Sequence, residues 1–168
     1  MPDTRPLPFD PIVEARRLWS EHGWTDAADG MAAVTSVMRA QQVMLARVDE
    51  VLRPFRLTFA RYEMLMLLLF SRRGALPLST VGSRLQVHPA SVTNVVDRLE
   101  AQGLVRRTPH PTDRRATLAE LTDRGRRVAT EATAELNAKV FNDPGLEHDR
   151  VLELVDVLTD LRRHAGDF

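Results

Sequence analysis

Residues 78–107 read LSTVGSRLQVHPASVTNVVDRLEAQGLVRR, and this segment carries most of the information about the fold. Its pattern predicts a short helix that is capped by Ser79 and ends near Leu85, followed by a tight turn and a second helix. The second helix has His88 at its N-cap position, and Gly103 ends it. Two short helices joined by a tight turn form a helix-turn-helix.

The second helix of this pair is predicted to have one buried face and one exposed face. Helical periodicity places its apolar side chains together, and these are Val92, Val95, Val96 and Leu99. Short polar side chains near its N-terminal end can reach base edges when such a helix enters the major groove of DNA. The candidate contacts are Ser91, Thr93 and Asn94, with Arg98 one turn further along for a phosphate or a guanine.

A two-stranded hairpin is predicted next, with strands at 104–108 and 116–121 around a loop that contains two prolines. Arginine at the tip of such a hairpin can enter a narrow minor groove. The candidate DNA contacts of the hairpin are Arg106, Arg114 and Arg115. A helix-turn-helix followed by a basic hairpin is the order of a winged helix that binds double-stranded DNA.

The charge of the chain is concentrated in this region. The whole sequence has 23 basic and 23 acidic residues, so its net charge is zero. Residues 84–127 hold nine arginines and five acidic residues, which gives this segment a charge of +4 and the remainder −4. The basic segment covers most of the predicted winged helix, and the backbone amides of Ser79 and Thr80 add a candidate phosphate site at a helix N-terminus.

Long helices are predicted on both sides of the winged helix. A short helix at 10–22 precedes a long one at 29–53, and a third, at 59–70, is capped by Thr58 and apolar nearly all round. The long helix has a heptad-like seam, which consists of Val34, Met38, Gln41, Leu45, Val48 and Leu52. Two further helices are expected at 122–141 and 146–164.

These helices are too many for a small winged helix to bury alone, so the sequence predicts a homodimer. The predicted fold class is mainly α with a small β-hairpin wing: a winged helix-turn-helix plus a helical dimerisation domain. We assign residues 57–122 to the DNA-binding lobe, called the winged-helix lobe below. Residues 1–56 and 123–168 are assigned to the dimerisation domain.

Several other classes are disfavoured by what the sequence lacks. It contains no cysteine, which excludes disulfides, thiolate metal sites and a thiol redox sensor. Its five histidines are not spaced as metal ligands, so we expect neither a metal nor a cofactor. Glycine-rich phosphate loops and the HExxH and GxSxG motifs are missing, which argues against an enzyme. Without a membrane-length apolar run or an apolar leader, a cytoplasmic protein without a membrane partner is expected.

Residues 57–125 resemble the MarR family of bacterial transcription regulators. The matching segments are LTFARYEMLMLL (57–68), the helix-turn-helix segment at 78–107 and DRRATLAELTDRG (113–125). The resemblance implies a homodimer with paired winged helices, in which Arg115 enters the minor groove and Asp113 orients the wing loop. It also implies that Ser91, Thr93, Asn94 and Arg98 occupy contact positions of the recognition helix.

The resemblance further implies a small organic effector of unknown identity. The candidate ligand-binding residues are Trp19, Arg61 and Glu63. The extra N-terminal helix resembles that of the urate-responsive branch of the family, but Val95 stands where that branch has an arginine. As structural alternatives, Trp19 packs the extra helix onto the core, and Arg61 and Glu63 pair with charges on the long helix.

The predicted function is therefore a ligand-responsive repressor that binds a palindromic operator as a homodimer. A winged-helix module that binds protein, without specific DNA binding, is the alternative.

Overall fold

The computed structural model describes residues 7–113 and 115–168. Its helices and strands are α1 (Pro11–Glu21), α2 (Thr25–Leu52), α3 (Phe59–Leu69), β1 (Ala75–Pro77), α4 (Leu78–Leu85), α5 (Pro89–Ala101), β2 (Val105–Pro109), β3 (Thr117–Leu121), α6 (Asp123–Leu136) and α7 (His148–His164). The mainly helical fold class with a small antiparallel sheet is confirmed. No helix in the described part of the chain is both long and apolar enough to cross a bilayer.

The chain forms two compact units, and the boundary between Arg47 and Val48 falls inside α2. In the first unit, the Asp10 carboxylate accepts hydrogen bonds from the first-turn amides of α1, with the Ile12 amide at 2.8 Å. This confirms Asp10 as the predicted N-cap. The assignment of the chain to a lobe and a dimerisation domain stays a prediction.

The core of the second unit is built around α3. Its side chains Tyr62, Met64, Leu65 and Leu68 are buried, which confirms the prediction of a central helix. Around them pack buried side chains from α2, α4, α5, the sheet and α6, which include Leu52, Val81, Val96, Leu99, Ala119 and Leu136. This core fixes the orientation of α4 and α5, the two helices of the helix-turn-helix.

The sheet has three antiparallel strands in the order β1-β3-β2, rather than the two that the sequence predicted. The missed strand, β1, is three residues long and pairs Leu76 with Ala119. So short a segment cannot show the alternation by which a strand is recognised. In the pairing of β2 with β3, Arg106 lies opposite Glu120 and Arg107 opposite Ala119. We call β2, β3 and the loop between them the wing.

One predicted helix cap is wrong, and another has the right position but lacks the cap bond. Ser79 does not cap α4, because the helix begins at Leu78 with Pro77 in the N-cap position. Pro77 is also the last residue of β1, so the strand passes directly into the helix and leaves no separate cap residue. Thr58 precedes α3 but makes no side-chain cap bond. The Phe59 amide is 3.4 Å from the carboxylate of Asp49, which accepts its hydrogen bond instead.

The start of α6 is held by a cap and a close contact. The Thr122 hydroxyl accepts from the Gly125 amide at 2.9 Å and donates to the Gly103 carbonyl at 2.8 Å, so the predicted cap is confirmed. A Cβ at Gly125 would lie 2.0 Å from the Leu104 carbonyl oxygen. Only glycine allows this approach of backbone to backbone.

The helix predicted at 122–141 is also interrupted. Its α-helical part ends at Leu136, and a π-helical turn, Asn137–Phe141, follows. The π turn keeps Val140 buried with Leu136. A uniform 3.6-residue period therefore describes the first part of this helix better than its end.

Candidate nucleic-acid interface

The recognition helix α5 separates its two faces as the sequence predicted, with one difference. Val92, Val96 and Leu99 are buried in the core, whereas Val95 is half-buried. The predicted contacts Ser91, Thr93, Asn94 and Arg98 are all exposed. The helix begins at Pro89, and the Nδ1 atom of His88 accepts a hydrogen bond from the Ala90 amide at 3.2 Å, which confirms His88 as its N-cap.

The polar side chains of α5 line two concave surfaces. Ser91 and Asn94 line a shallow surface together with Ala90 and Val95. Thr93 lies on the other side, in a notch between α4 and α5 that Ser79 also lines. The notch is narrow at Gly82, where a Cβ would lie 3.3 Å from Val92.

The start of α4 has the features of a phosphate site. Ser79 is exposed and Thr80 is half-buried, and both lie in the first turn of the helix. The amides of a first helical turn have no partner within the helix, and Pro77 supplies no side-chain cap. Such amides can bind an anion.

The wing loop is closed by its own backbone. The His110 amide donates to the Ala116 carbonyl at 3.1 Å, and the Ala116 amide donates to the Asp113 carbonyl at 3.1 Å. The Asp113 carboxylate accepts from the Arg115 amide at 2.9 Å, which fits its predicted role in orienting the loop. Arg115 is exposed next to this bond. The predicted contact Arg114 lies outside the described residues.

The part that His110 plays in this loop was not predicted from the sequence. Its Nδ1 atom accepts from the amides of Thr112 at 3.3 Å and of Asp113 at 3.1 Å. The histidine thus acts on the loop as an asparagine acts in an Asx turn. The spacing of histidines along a sequence indicates only whether they could bind a metal together. It does not predict that a histidine ring accepts hydrogen bonds from the amides of its own loop. Within residues 7–113 and 115–168, no three potential ligand side chains come together as a metal site.

The predicted DNA contact Arg106 already has a partner. Its exposed guanidinium forms an ion pair with Glu120 across the two strands, at 2.5 Å. This hydrogen bond lowers the pKa of Glu120 and raises that of Arg106. To bind a phosphate, Arg106 would have to exchange Glu120 for it or contact both.

The neighbouring Arg107, which was not among the predicted DNA contacts, lies on the opposite face of β2. Its guanidinium forms ion pairs with Asp97, at 2.6 Å, and with Glu100. Its backbone amide also donates to Glu100, at 2.9 Å. The amide and the guanidinium hold the pKa of Glu100 below its usual range. Side chains alternate between the two faces of a strand, so the sequence could have placed Arg106 and Arg107 on opposite faces of β2.

The candidate ligand-binding residues lie in different units and are described separately. In the first unit, Trp19 is half-buried, and its ring centroid is 5.1 Å from that of Trp24. In the second unit, the Arg61 guanidinium donates to the Arg56 carbonyl at 2.9 Å. Burial raises the pKa of Glu63. Arg61 and Glu63 are two residues apart on α3 and so point to different sides of it.

Comparisons with known proteins assign this architecture. Residues 58–117 match the MarR family. Sco5413, a MarR family transcriptional regulator from Streptomyces coelicolor, has 51% sequence identity and a TM-score of 0.76, over 83% of this chain and 97% of that one. The HTH-type transcriptional regulator MhqR of Bacillus subtilis strain 168 is 30% identical over 109 residues, which are 62% of this chain and 70% of MhqR. CouR from Rhodococcus jostii RHA1, solved bound to p-coumaroyl-CoA, has 28% identity and a TM-score of 0.64, over 74% of this chain and 87% of CouR.

The similarity to known proteins includes both the lobe and helices that flank it. The similarity to Sco5413 extends well beyond the family segment at 58–117, since it covers almost all of that protein. The relatives are regulators of transcription, which confirms the prediction that the chain is not an enzyme. The chain belongs to the MarR family of DNA-binding transcriptional regulators.

Proposed function

We propose that this regulator is a ligand-responsive repressor that binds a palindromic operator as a homodimer. The observation that carries the proposal is the shared exposure of the polar face of α5 and of Arg115 on a wing loop held by Asp113. A helix presents one such face to the major groove, and a wing arginine reaches the adjacent minor groove.

Each contact has a distinct role in this proposal. Asn94 pairs with adenine and Arg98 with a guanine or a phosphate, whereas Ser91 and Thr93 contact base edges or the backbone. The amides of Ser79 and Thr80 hold a phosphate at the start of α4. On the wing, Arg115 enters the minor groove, and the remaining candidates, Arg106 and Arg114, bind phosphates.

The homodimer is supported by apolar side chains that this chain alone leaves exposed. On α2 these include Val34 and Met38, and on α7 they include Leu154 and Leu161. Several large apolar side chains exposed along one helix mark an interaction site. A closed dimer has two-fold symmetry, so two copies of α5 would read an inverted repeat with half-sites about one helical turn apart.

The effector is a small organic molecule in this proposal, and Trp19, Arg61 and Glu63 are separate candidate contacts, since Trp19 lies in the first unit and Arg61 and Glu63 point to different sides of α3. The similarity to CouR, whose structure holds p-coumaroyl-CoA, supports an organic ligand but does not identify it. The effector must bind the form that does not fit DNA more tightly than the form that does. The protein would act as a repressor in the cytoplasm, where it reaches the chromosome and blocks transcription until the effector releases it.

The test is an anisotropy titration of a duplex that the wild-type protein protects, at two salt concentrations, with the Arg115→Ala variant. We expect the variant to bind about 1–3 kcal/mol more weakly, because each protomer then lacks a groove contact. Arg72→Ala, an exposed arginine between α3 and β1, is the control and should bind like wild type. Unchanged affinity of a folded Arg115→Ala dimer would contradict the wing assignment. If the wild-type protein binds no duplex at the lower salt concentration, the protein-interaction module is favoured.

A further inference from the structure

Arg107 joins the wing to the recognition helix through three bonds. Its guanidinium binds Asp97 at 2.6 Å and also binds Glu100, and its backbone amide donates to Glu100 at 2.9 Å. Both carboxylates belong to the second half of α5, and Arg107 belongs to β2. A guanidinium that binds two carboxylates fixes its partners in direction as well as in distance, because its donors form a rigid planar fork.

Arg107 is more buried than its neighbour on the strand. Its side chain is 28% exposed, against 63% for its neighbour Arg106. The difference follows from the strand, since Arg107 lies opposite the fully buried Ala119 and Arg106 lies opposite Glu120. Arg106 and Arg107 are therefore a natural pair for comparison: adjacent arginines on the two faces of one strand.

The ion pairs also neutralise the recognition helix. Asp97 and Glu100 lie on either side of Arg98, a candidate DNA contact, and without Arg107 this part of α5 would have a net negative charge. Negative charge near a phosphate backbone weakens binding, and Asp97 and Glu100 are neighbours in sequence of the proposed contact Arg98. Arg107 thus has both a geometric and an electrostatic effect on the DNA-facing surface.

We propose that Arg107 is a positioning residue for DNA recognition, which holds the wing at a fixed angle to α5 by binding Asp97 and Glu100. It does so without touching DNA. This inference rests on the proposed function, in which α5 and the wing occupy adjacent grooves. If the angle between them is free, α5 still enters the major groove, but Arg115 no longer reaches the minor groove in register.

The experiment compares Arg107→Gln with Arg106→Gln on a protected duplex, with footprints of both grooves and a salt titration. For Arg107→Gln we expect affinity to fall on the order of tenfold. Minor-groove protection by the wing should disappear, while major-groove protection by α5 remains. The slope of log K against log salt should become shallower as well, because a released wing no longer holds the phosphates assigned to Arg106 and Arg114. Arg106→Gln should keep both footprints and lower the slope by about 0.9 for each phosphate that the side chain no longer binds.

Two further variants keep the test decisive if Arg107→Gln folds poorly. Arg107→Lys retains the charge but not the fork, so it should reduce wing protection in part. The exchange Glu100→Arg with Arg107→Glu restores an ion pair in reverse, and it should recover wing protection relative to Arg107→Glu alone.

The results also separate this inference from the proposed function. Intact wing protection in Arg107→Gln would overturn the positioning role. If the wild-type protein protects neither groove, the proposed function itself fails.

Discussion

The winged-helix lobe and α7 have similar apolar patterns, but the chain buries only the first. In the lobe, Leu65, Leu68, Val96 and Leu99 are fully buried. On α7 no residue is buried, and Leu161 is 53% exposed. The difference indicates that the lobe is completed by the chain itself, whereas α7 requires a second surface. In our proposal a second copy of the chain supplies that surface.

Helix α2 shows both behaviours within one seam. At its C-terminal end, Val48 and Leu52 are buried in the core of the second unit. Towards its N-terminal end, Val34 and Met38 are each 61% exposed. The seam predicted from the sequence is therefore used in two ways, and its C-terminal part belongs to the chain's own core. A regular period identifies the apolar side of a helix but not the molecule that covers it.

The largest effect is expected from Gly125→Ala, because it disturbs the part of the molecule that this chain packs by itself. The new Cβ would lie 2.0 Å from the Leu104 carbonyl oxygen, and this backbone atom cannot move without disturbing β2. We expect the free energy of unfolding, measured in urea, to fall by about 3 kcal/mol or more.

Gly30→Ala provides the matched control. Gly30 lies within α2, where an added Cβ has nothing within 4 Å. Alanine favours a helix over glycine, so we expect stability to rise by up to about 1 kcal/mol. Equal effects of the two substitutions would show that the close contact at Gly125 does not hold α6 in place.

The second prediction concerns the part of the molecule that the chain does not complete. Leu154→Glu combined with Leu161→Glu adds charge to one side of α7, because residues seven apart share a helix face. Sedimentation should show a monomer, whereas circular dichroism should show that the helical content of the lobe is kept. DNA affinity should fall by at least about tenfold, since a monomer reads one half-site.

Asp156→Ala, on the same helix, is the control for this experiment. It removes an exposed polar group and should leave both the dimer and its DNA affinity unchanged. If the double glutamate variant remains a dimer, α7 does not form the interface, and the comparison between lobe and α7 has another explanation.

The smallest effect is expected at Glu63, where burial raises the pKa of the carboxyl group. The folded protein then holds this proton more tightly than the unfolded chain does. Stability should therefore fall as the pH rises from the usual glutamate value through the raised one. In urea titrations from pH 4 to 7, wild type should lose stability relative to Glu63→Gln as the pH rises.

Glu100→Gln tests the opposite sign. The bonds from Arg107 lower the pKa of Glu100, so its contribution to stability is present above the usual glutamate value and is lost as the pH falls.

A Glu63→Gln variant with the same pH dependence of stability as wild type would show that the Glu63 carboxylate is fully hydrated on α3.

The features that the sequence predicted well are local ones. The faces of α5, the caps at His88 and Thr122 and the position of the wing all follow from spacings within a few residues. The missed features depend on residues that belong to other elements. β1 exists through its pairing with β3, the cap of α3 comes from Asp49, and Arg107 is defined by two carboxylates on another element. The proposed DNA contacts also rest on local spacings, and they stay predictions.

The central claim is that two copies of α5 and the wing read one inverted repeat. This can be tested without knowing the operator, by selecting the duplexes that the protein binds from a random-sequence library at physiological salt. The account predicts convergence on a palindrome whose half-sites are centred about 10 base pairs apart. A pool that shows no enrichment, or a single asymmetric half-site, would contradict it.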